Sequence, residues 1–313
     1  NNQSTIINFS DDKNELLKIE KLITNKSTYN FSFKKQGEIK SNISDKDYLE
    51  LVRKGISHCL RGDVFQIVLS RKFTQPYKGD DFNVYRKLRS INPSPYLFYF
   101  DYGNFKIFGS SPEAQLIINN KKAEIHPIAG TFKRTGDDLY DKEKANELLG
   151  DDKENSEHMM LVDLARNDLS RSCNNVVVEK DREIQFYSHV IHLVSKVTGY
   201  LKSKSKEIIG NTFPAGTLTG APKYKAMELI NQYETSKRQF YGGAIGMIDI
   251  YGNFNHAIII RSFLSKNQAL YFQAGAGVVS KSVPENELNE VYNKVGALIK
   301  SIEKAEEKWE IKF

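Results

Sequence analysis

The sequence has little cysteine and no long apolar run. Cys59 and Cys173 are the only cysteines among 313 residues, and their spacing is not that of neighbouring metal ligands. This excludes a disulfide framework and a cysteine zinc site, and it indicates two free thiols in a reducing compartment. No apolar stretch approaches the length that crosses a bilayer, and the first residues lack a signal-peptide pattern. We therefore expect a cytoplasmic protein without a membrane-spanning segment.

Basic residues are in slight excess but form no block. Lysine and arginine together number 45 against 39 acidic residues, which gives a net charge of +6. Such a balance suits either nucleic acids or small anionic ligands. Because no nucleic-acid-binding motif occurs, the sequence favours small anions and no nucleic-acid partner.

The chain changes character near Ser44. Residues 1–44 are polar, with an amphipathic helix predicted at 16–23 and a short strand at 29–33, and the chain begins without methionine. We expect this part to be the remnant of an amino-terminal region with a linker. From Ser44, which can cap a helix, helical and strand patterns alternate to the end. The predicted organisation is a remnant at 1–44 and a folded core at 45–313.

Two pairs of acids recur at helical spacing. Glu154 and Glu157 lie three residues apart in a predicted helix, and Glu287 and Glu290 do so near the other end of the chain. Each pair projects from one side of its helix, and a single pair of this kind is usually only solvated. Two such pairs together supply the oxygen ligands that Mg²⁺ prefers.

The second acidic helix has a recognisable start. Ser282 is followed by Pro284 and then by Glu285, three residues after the serine. This order predicts a helix in which Ser282 is the capping residue and proline occupies the first turn.

Three further features allow both a structural and a functional interpretation. Glu113 follows a proline corner and is either a loop acid in water or a site acid. Arg261 follows a fully apolar run, so its guanidinium needs an internal carboxylate or an anionic ligand. Gly275 and Gly277 alternate in one strand, which indicates either a bulge or a ligand lying against the backbone.

Two loops and one strand add candidates. A tight turn is predicted at Gly130, where the backbone can approach a ligand. Residues 213–223 form a glycine-punctuated loop that leads into a helix at 224–232; this resembles an anion cradle, although its spacing is not that of a P-loop. His189 and His192 have opposite parity in a strand, so one is structural and the other can belong to a site.

Five motifs occur in a fixed order along the chain. They are residues 126–131 (HPIAGT), 156–168 (SEHMMLVDLARND), 213–223 (FPAGTLTGAPK), 273–277 (QAGAG) and 284–290 (PENELNE). Together they resemble the chorismate-utilising enzymes, and within them the large subunits of anthranilate synthases, over about residues 45–303. The resemblance implies an α+β fold in which large antiparallel sheets form a β-sandwich, with outer helices and an active site in the cleft between the sheets.

The resemblance also implies roles for the acids and their neighbours. Glu157 and Glu290 correspond to Mg²⁺ ligands, with Glu154 and Glu287 in the same acidic cluster, and the metal would hold the ring carboxylate of chorismate. The enolpyruvyl carboxylate would be held by Tyr241, Arg261 and the Gly277 amide. Further substrate contacts are implied for Gly130, Thr131, Thr217 and Gly275.

Three residues are implied to take part in the chemistry. Glu113 corresponds to the general acid that protonates the departing 4-hydroxyl, because hydroxide is a poor leaving group. Thr217 belongs to the same catalytic set. His192 matches the histidine linked to pyruvate elimination, which makes His189 the structural one.

Two positions discriminate within the family. Gln66 stands where water-adding relatives carry a lysine base, and ammonia needs less activation than water. Ala129 stands where aminodeoxychorismate synthases often carry a lysine. The expected reaction is therefore Mg²⁺-dependent amination of chorismate at carbon 2, loss of the 4-hydroxyl and elimination of pyruvate to give anthranilate for tryptophan biosynthesis. The alternative is an aminodeoxychorismate synthase that lacks the usual lysine.

The resemblance implies partners as well. A glutamine amidotransferase subunit would deliver the ammonia. Residues 92–98 resemble half of a tryptophan feedback site, although they are otherwise read as a core hairpin. A third interpretation is an inert domain that only binds the amidotransferase, which the intact set of Glu113, Glu157, His192, Arg261 and Glu290 argues against.

Overall fold

The computed structural model describes residues 13–25, 31–186, 190–202 and 205–307. These residues form nine helices and fifteen strands. The helices are α1 (Lys13–Thr24), α2 (Asp45–Leu60), α3 (Phe82–Ile91), α4 (Asp138–Gly150), α5 (Asp152–Ser170), α6 (Ser205–Thr212), α7 (Gly216–Thr219), α8 (Lys223–Tyr233) and α9 (Pro284–Ala305).

The strands alternate with these helices along the chain. They are β1 (Phe33–Lys35), β2 (Lys40–Ser41), β3 (Gln66–Gly79), β4 (Tyr96–Asp101), β5 (Lys106–Ser111), β6 (Ala114–Asn119), β7 (Lys122–Ile125), β8 (Ile128–Lys133), β9 (Cys173–Phe186), β10 (Val190–Leu201), β11 (Gly220–Ala221), β12 (Ala244–Ile248), β13 (Phe254–Ile258), β14 (Ser262–Lys266) and β15 (Ala269–Val278).

The chain divides into two units, residues 1–32 and residues 33–313. In the first unit α1 confirms the amphipathic helix predicted at 16–23. The strand predicted at 29–33 begins outside the described residues, and β1 begins at Phe33. The functional boundary predicted at residue 44 stays a prediction.

Two antiparallel sheets organise the second unit. The first sheet has the order β1-β3-β15-β14-β5-β4, with β2 and β11 also paired to β3. The second has the order β12-β13-β6-β7-β10-β8, with β9 paired to β10. This mixture of helices and large antiparallel sheets confirms the predicted fold class. No helix among the described residues is long and apolar enough to span a membrane.

Helices α2, α3 and α9 cover one face of the first sheet. Ile67 and Leu69 of β3 point into this apolar core, where they meet Tyr48 of α2 and Val291 of α9. Because side chains alternate along a strand, Gln66 and its even-numbered neighbours face the opposite side. That opposite face is where the candidate site lies.

Three local predictions were wrong. The tight turn expected at Gly130 is absent, because β8 continues from Ile128 through Lys133 and pairs with β10. The loop expected at 213–223 contains the short helix α7 and the strand β11. Val283, not Ser282, is the N-cap of α9; the Ser282 hydroxyl instead accepts a 3.0 Å hydrogen bond from the Val279 amide.

Candidate active site

Glu113 lies where the chain passes from one sheet to the other, between the end of β5 and the start of β6. Thr217 Oγ1 donates a hydrogen bond of 2.8 Å to Glu113 Oε1. Burial raises the pKa of the Glu113 carboxyl, and this outweighs the lowering by Thr217, Arg261 and Lys294. A carboxyl group with a raised pKa keeps its proton to a higher pH, as a general acid must.

Thr217 belongs to α7, and two glycines let this short helix approach its neighbours. A Cβ atom at Gly216 would lie 1.9 Å from Leu164 Cδ2, and one at Gly220 would lie 2.1 Å from the Gln66 carbonyl oxygen. Gly220 also has a φ of 138°, which L side chains rarely adopt. The glycines predicted to cradle an anion thus make room for protein atoms, and this packing brings Thr217 to Glu113.

Arg261 lies between β13 and β14 with a left-handed backbone, at a φ of 51°. Burial lowers the pKa of its guanidinium from a very high ordinary value, and the charges of Tyr241, Glu113 and Glu290 oppose this. Among the described residues no carboxylate forms an ion pair with the guanidinium. Its two-pronged donor set therefore remains available to an anionic ligand.

Tyr241 supplies a second donor beside Arg261. Burial raises the pKa of its phenol to about 12, so the group is protonated at neutral pH. The nearby Gly275 backbone in β15 opposes this rise in the pKa of the Tyr241 phenol. A neutral phenol and a buried guanidinium that act on each other's pKa can together bind a carboxylate.

Lys294 is a site residue that the sequence analysis missed. Its Nζ donates a hydrogen bond of 2.9 Å to the Gly275 carbonyl and forms an ion pair with Glu290, one turn earlier in α9. Its charge also acts on Glu113. The four-residue spacing from Glu290 was the only signal in the sequence, and such pairs are common on helix surfaces.

The side chains of Gln66 and Glu157 are hydrogen-bonded to each other. Gln66 Nε2 donates a hydrogen bond of 2.7 Å to Glu157 Oε1, although 91 residues separate the two in the chain. The other amide atom, Gln66 Oε1, is buried without a partner among the described residues. Buried acceptors without partners are costly in stability, so this oxygen marks a place for a donor or a cation.

Gly277 lies against the same pair. A Cβ atom there would lie 2.6 Å from Gln66 Nε2 and 3.8 Å from Glu157 Oε1. Gly275 is equally restricted, because its Cβ would lie 2.6 Å from the Leu69 carbonyl oxygen. The alternating glycines therefore let the β15 backbone lie close to the Gln66 amide and to the Leu69 carbonyl; that a ligand also lies against this strand stays a prediction.

Replacement of Gly277 by alanine should raise the KM for substrate by about 10-fold or more, because a displaced Gln66 and Glu157 misplace the groups that hold it. Steady-state kinetics measures this. Gly296→Ala is the matched control: nothing lies within 4 Å of its Cβ position in α9, so alanine there should stabilise the fold by about 1 kcal/mol and leave KM unchanged. An unchanged KM in Gly277→Ala would contradict the assignment of this strand.

The four predicted metal ligands do not form one preassembled cluster. The described residues contain no group of three or more His, Cys, Asp or Glu side chains placed to hold a metal ion. Glu287 is buried, Glu154 and Glu157 are half-buried, and none of the four lines the cavity beside Glu113. Mg²⁺ nevertheless needs only one or two protein carboxylates, with waters and substrate as its other ligands.

The donor chemistry of the predicted ligands fits such an ion. Glu157 and Glu290 offer carboxylate oxygens, and Gln66 Oε1 is an oxygen acceptor without a partner among the described residues. All three are hard oxygen donors of the kind that Mg²⁺ selects over softer metals. The set with Glu157 and Glu290 as ligands stays a prediction.

The remaining predicted residues lie on the second sheet. His192 is half-buried in β10, and its backbone pairs with that of Thr131 in β8. Gly130 is in the same strand as Thr131, next to the residue that pairs with His192. His189 lies outside the described residues. The structure thus places His192 beside the first sequence motif.

Comparison with known proteins identifies relatives over most of the chain. The family described as chorismate binding enzyme matches residues 2–300. Anthranilate synthase component 1 of Aquifex aeolicus (strain VF5) is 44% identical over 275 residues, which cover 87% of this chain and 56% of that protein. The same protein of Bacillus subtilis (strain 168) is 46% identical over 273 residues, which cover 86% and 53%.

Solved structures agree with the sequence relatives. The crystal structure of anthranilate synthase component I from Streptococcus pneumoniae TIGR4 has a TM-score of 0.83 and 36% identity, and the match covers 91% of this chain and 65% of that one. The menaquinone-specific isochorismate synthase of Escherichia coli shares the fold, with a TM-score of 0.81, 22% identity and coverage of 92% and 68%. The chain spans about half the length of the curated relatives it matches.

Proposed function

The chain belongs to the chorismate-binding enzyme family, and from this premise we propose that it acts as an anthranilate synthase component I, which converts chorismate and ammonia to anthranilate. Identities of 41–46% to proteins of that name support the proposal. The observation that carries it is the Gln66 amide bound to Glu157. An amide is no base, so this site favours ammonia, which is already nucleophilic, over water.

Substrate binding follows from the donors on the face of β15. The Arg261 guanidinium and the Tyr241 phenol would hold the enolpyruvyl carboxylate, and the Gly277 amide would add a third donor. The Gly130 and Thr131 backbone would contact the ring from the second sheet. A bidentate guanidinium fixes the orientation of the carboxylate as well as neutralising its charge.

Glu157 and Glu290 would hold Mg²⁺, with Glu154 and Glu287 in the surrounding acidic set. When bound, the ion supplies positive charge that neutralises and positions the ring carboxylate. Lys294 keeps Glu290 in place from one turn away.

The reaction then needs a general acid that protonates the hydroxyl leaving from carbon 4. Ammonia adds to carbon 2 and its nitrogen then gives up one proton to solvent, while the ring double bonds shift and the bond from carbon 4 to its oxygen breaks. Glu113 gives its proton to that oxygen, so that water leaves and not hydroxide. Thr217 holds the acid in the required direction. Loss of the carbon 2 proton and of pyruvate completes the aromatic ring, and His192 is assigned to this elimination.

A glutamine amidotransferase subunit is the proposed source of ammonia, as the term component I implies for the relatives. Inhibition by tryptophan is a further part of the proposal, at residues 92–98, where the Tyr96 hydroxyl donates a 3.1 Å hydrogen bond to Asn255. An inhibition curve that stays flat to millimolar tryptophan would remove that part alone.

The assay for the proposed activity is direct. Incubation with chorismate, Mg²⁺ and ammonium should produce the fluorescence of anthranilate. A non-fluorescent aminated product would identify an aminodeoxychorismate synthase, and binding of the amidotransferase without turnover would identify an inert domain. Either result would overturn the proposed function.

The pH profile should report on Glu113. The acid works only when protonated, so kcat falls as pH rises through its raised pKa. Thr217→Val removes a hydrogen bond that lowers this pKa, so the alkaline limb of the kcat profile should move to higher pH while kcat itself falls. A limb that moves to lower pH, or does not move, would contradict the assignment of Glu113 as the acid.

A further inference from the structure

Arg238 ties together the segments that carry the site. Its guanidinium donates to Glu234 Oε1 at 2.6 Å and Oε2 at 2.8 Å, to the Leu218 carbonyl at 2.5 Å and to the Val68 carbonyl at 2.7 Å. It also lies 5.7 Å from the centre of the Tyr241 ring. One side chain thus joins α7, β3, the end of α8 and the turn that presents Tyr241.

Glu234 extends this network into the first sheet. Its Oε1 accepts from the Ser70 amide at 2.9 Å and from the Ser70 hydroxyl at 2.6 Å. The Ser70 hydroxyl in turn accepts from Gln273 Nε2 at 2.8 Å. The side chains of Glu234 and Arg238 are 5% and 16% exposed, so the ion pair is largely desolvated and each bond depends on good geometry.

The turn between Arg238 and Tyr241 is strained. Gln239 has a φ of 54°, in the left-handed region that non-glycine residues avoid. The Tyr241 amide donates back to the Arg238 carbonyl at 3.0 Å. Strained backbone persists only where surrounding contacts over-determine it, and at this turn those contacts converge on Arg238.

We propose that Arg238, held in place by its ion pair with Glu234, is a positioning residue. It fixes the Tyr241 phenol and the Thr217 hydroxyl at the relative positions that a single bound substrate molecule requires. Leu218, whose carbonyl it holds, directly follows Thr217, the partner of Glu113. The substrate assignment rests on the proposed function. The Arg238 guanidinium thereby fixes both the ring of Tyr241 and the backbone of α7. Binding of the substrate carboxylate by Tyr241 and proton donation by Glu113 then both depend on the ion pair between Arg238 and Glu234.

The test compares Arg238→Met with Arg71→Met. Arg71 is the matched control, because it is also a buried arginine with a carboxylate partner, Asp45 at 2.6 Å. It lies in β3 and packs among aromatic rings on the face of the sheet that the helices cover. We expect Arg238→Met to raise the KM for chorismate and lower kcat, together by about 10- to 100-fold, as small misplacements of site groups do. Arg71→Met should cost comparable stability and leave both constants near wild type.

Arg238→Lys and chemical rescue sharpen the result. Lysine keeps the charge but cannot reach two carbonyls and a carboxylate together, so its kinetic loss should be intermediate. Guanidinium ions should restore part of the activity of Arg238→Ala, and methylammonium should not. Kinetic constants of Arg238→Met within twofold of wild type, or an equal loss in Arg71→Met at matched melting temperature, would overturn the proposal.

Failure of the proposed function gives a different outcome. If the wild-type protein forms no anthranilate but binds chorismate, the positioning role of Arg238 can still be tested. Calorimetry then compares the chorismate affinity of the wild type with that of the same variants. Equal affinities in wild type and Arg238→Met would then overturn the positioning role.

Discussion

Replacement of Glu113 by glutamine should lower kcat for anthranilate formation by about 10²- to 10⁴-fold, the usual contribution of a positioned general acid. The amide cannot give a proton to the departing hydroxyl. It is similar in size and still accepts the hydrogen bond from Thr217, so KM for chorismate and the melting temperature should change little. Rapid fluorescence assays with saturating chorismate and ammonium measure kcat directly.

Glu124→Gln serves as the control for this change. Glu124 lies in strand β7, is partly buried, and pairs with Lys196 at 3.0 Å and with His126 at 3.3 Å, so its removal takes away a carboxylate that makes no contact with Glu113 or Thr217 among the hydrogen bonds of the described residues. Its replacement should leave kcat near wild type. If Glu113→Gln kept more than a tenth of the wild-type kcat, another group would have to protonate the leaving oxygen.

Replacement of Glu290 by glutamine should abolish Mg²⁺-dependent turnover, a loss of about three orders of magnitude or more, because the metal is asked to supply several kcal/mol of charge stabilisation. The variant should fold, since Lys294 keeps its hydrogen bond to the Gly275 carbonyl. Higher Mg²⁺ concentrations should recover part of the activity by mass action. That recovery separates weakened metal binding from a general defect.

The matched control on the same helix is Glu285→Gln. Glu285 is 60% exposed and only 3.7 Å from an exposed arginine, Arg53, an arrangement of little energetic value. Its activity and Mg²⁺ dependence should equal those of wild type. Equal activity of Glu290→Gln and wild type at low Mg²⁺ would count directly against Glu290 as a metal ligand.

Much of the site could be predicted because its residues belong to contiguous motifs. The three- and four-residue repeat of Met160, Leu161 and Leu164 predicted α5, and the pattern around Pro284 predicted α9; the structure confirms both helices. Periodicity alone did not bring Glu113 to Thr217, a contact across 104 residues. The family resemblance placed both residues in one catalytic set but did not predict this contact, since local sequence patterns carry no information about contacts between distant segments.

The errors and omissions share one cause. Gly216 and Gly220 were read as an anion cradle, but the atoms that exclude a side chain there come from Leu164 and Gln66. No local sequence pattern singles out Arg238 or Lys294, because single basic residues are common on polar stretches of a chain. Their importance comes from backbone carbonyls, such as those of Leu218 and Gly275, that only the folded chain places beside them.

The measurement that tests the account most directly is a calorimetric titration of chorismate into the wild-type protein with Mg²⁺ and again with a chelator. Convergence of Glu157, Glu290 and Arg261 on one anionic substrate predicts binding that weakens by about tenfold or more, a free-energy loss of about 1.4 kcal/mol, when the metal is removed. Chorismate affinity that is the same with and without Mg²⁺, or no binding in either case, would contradict it.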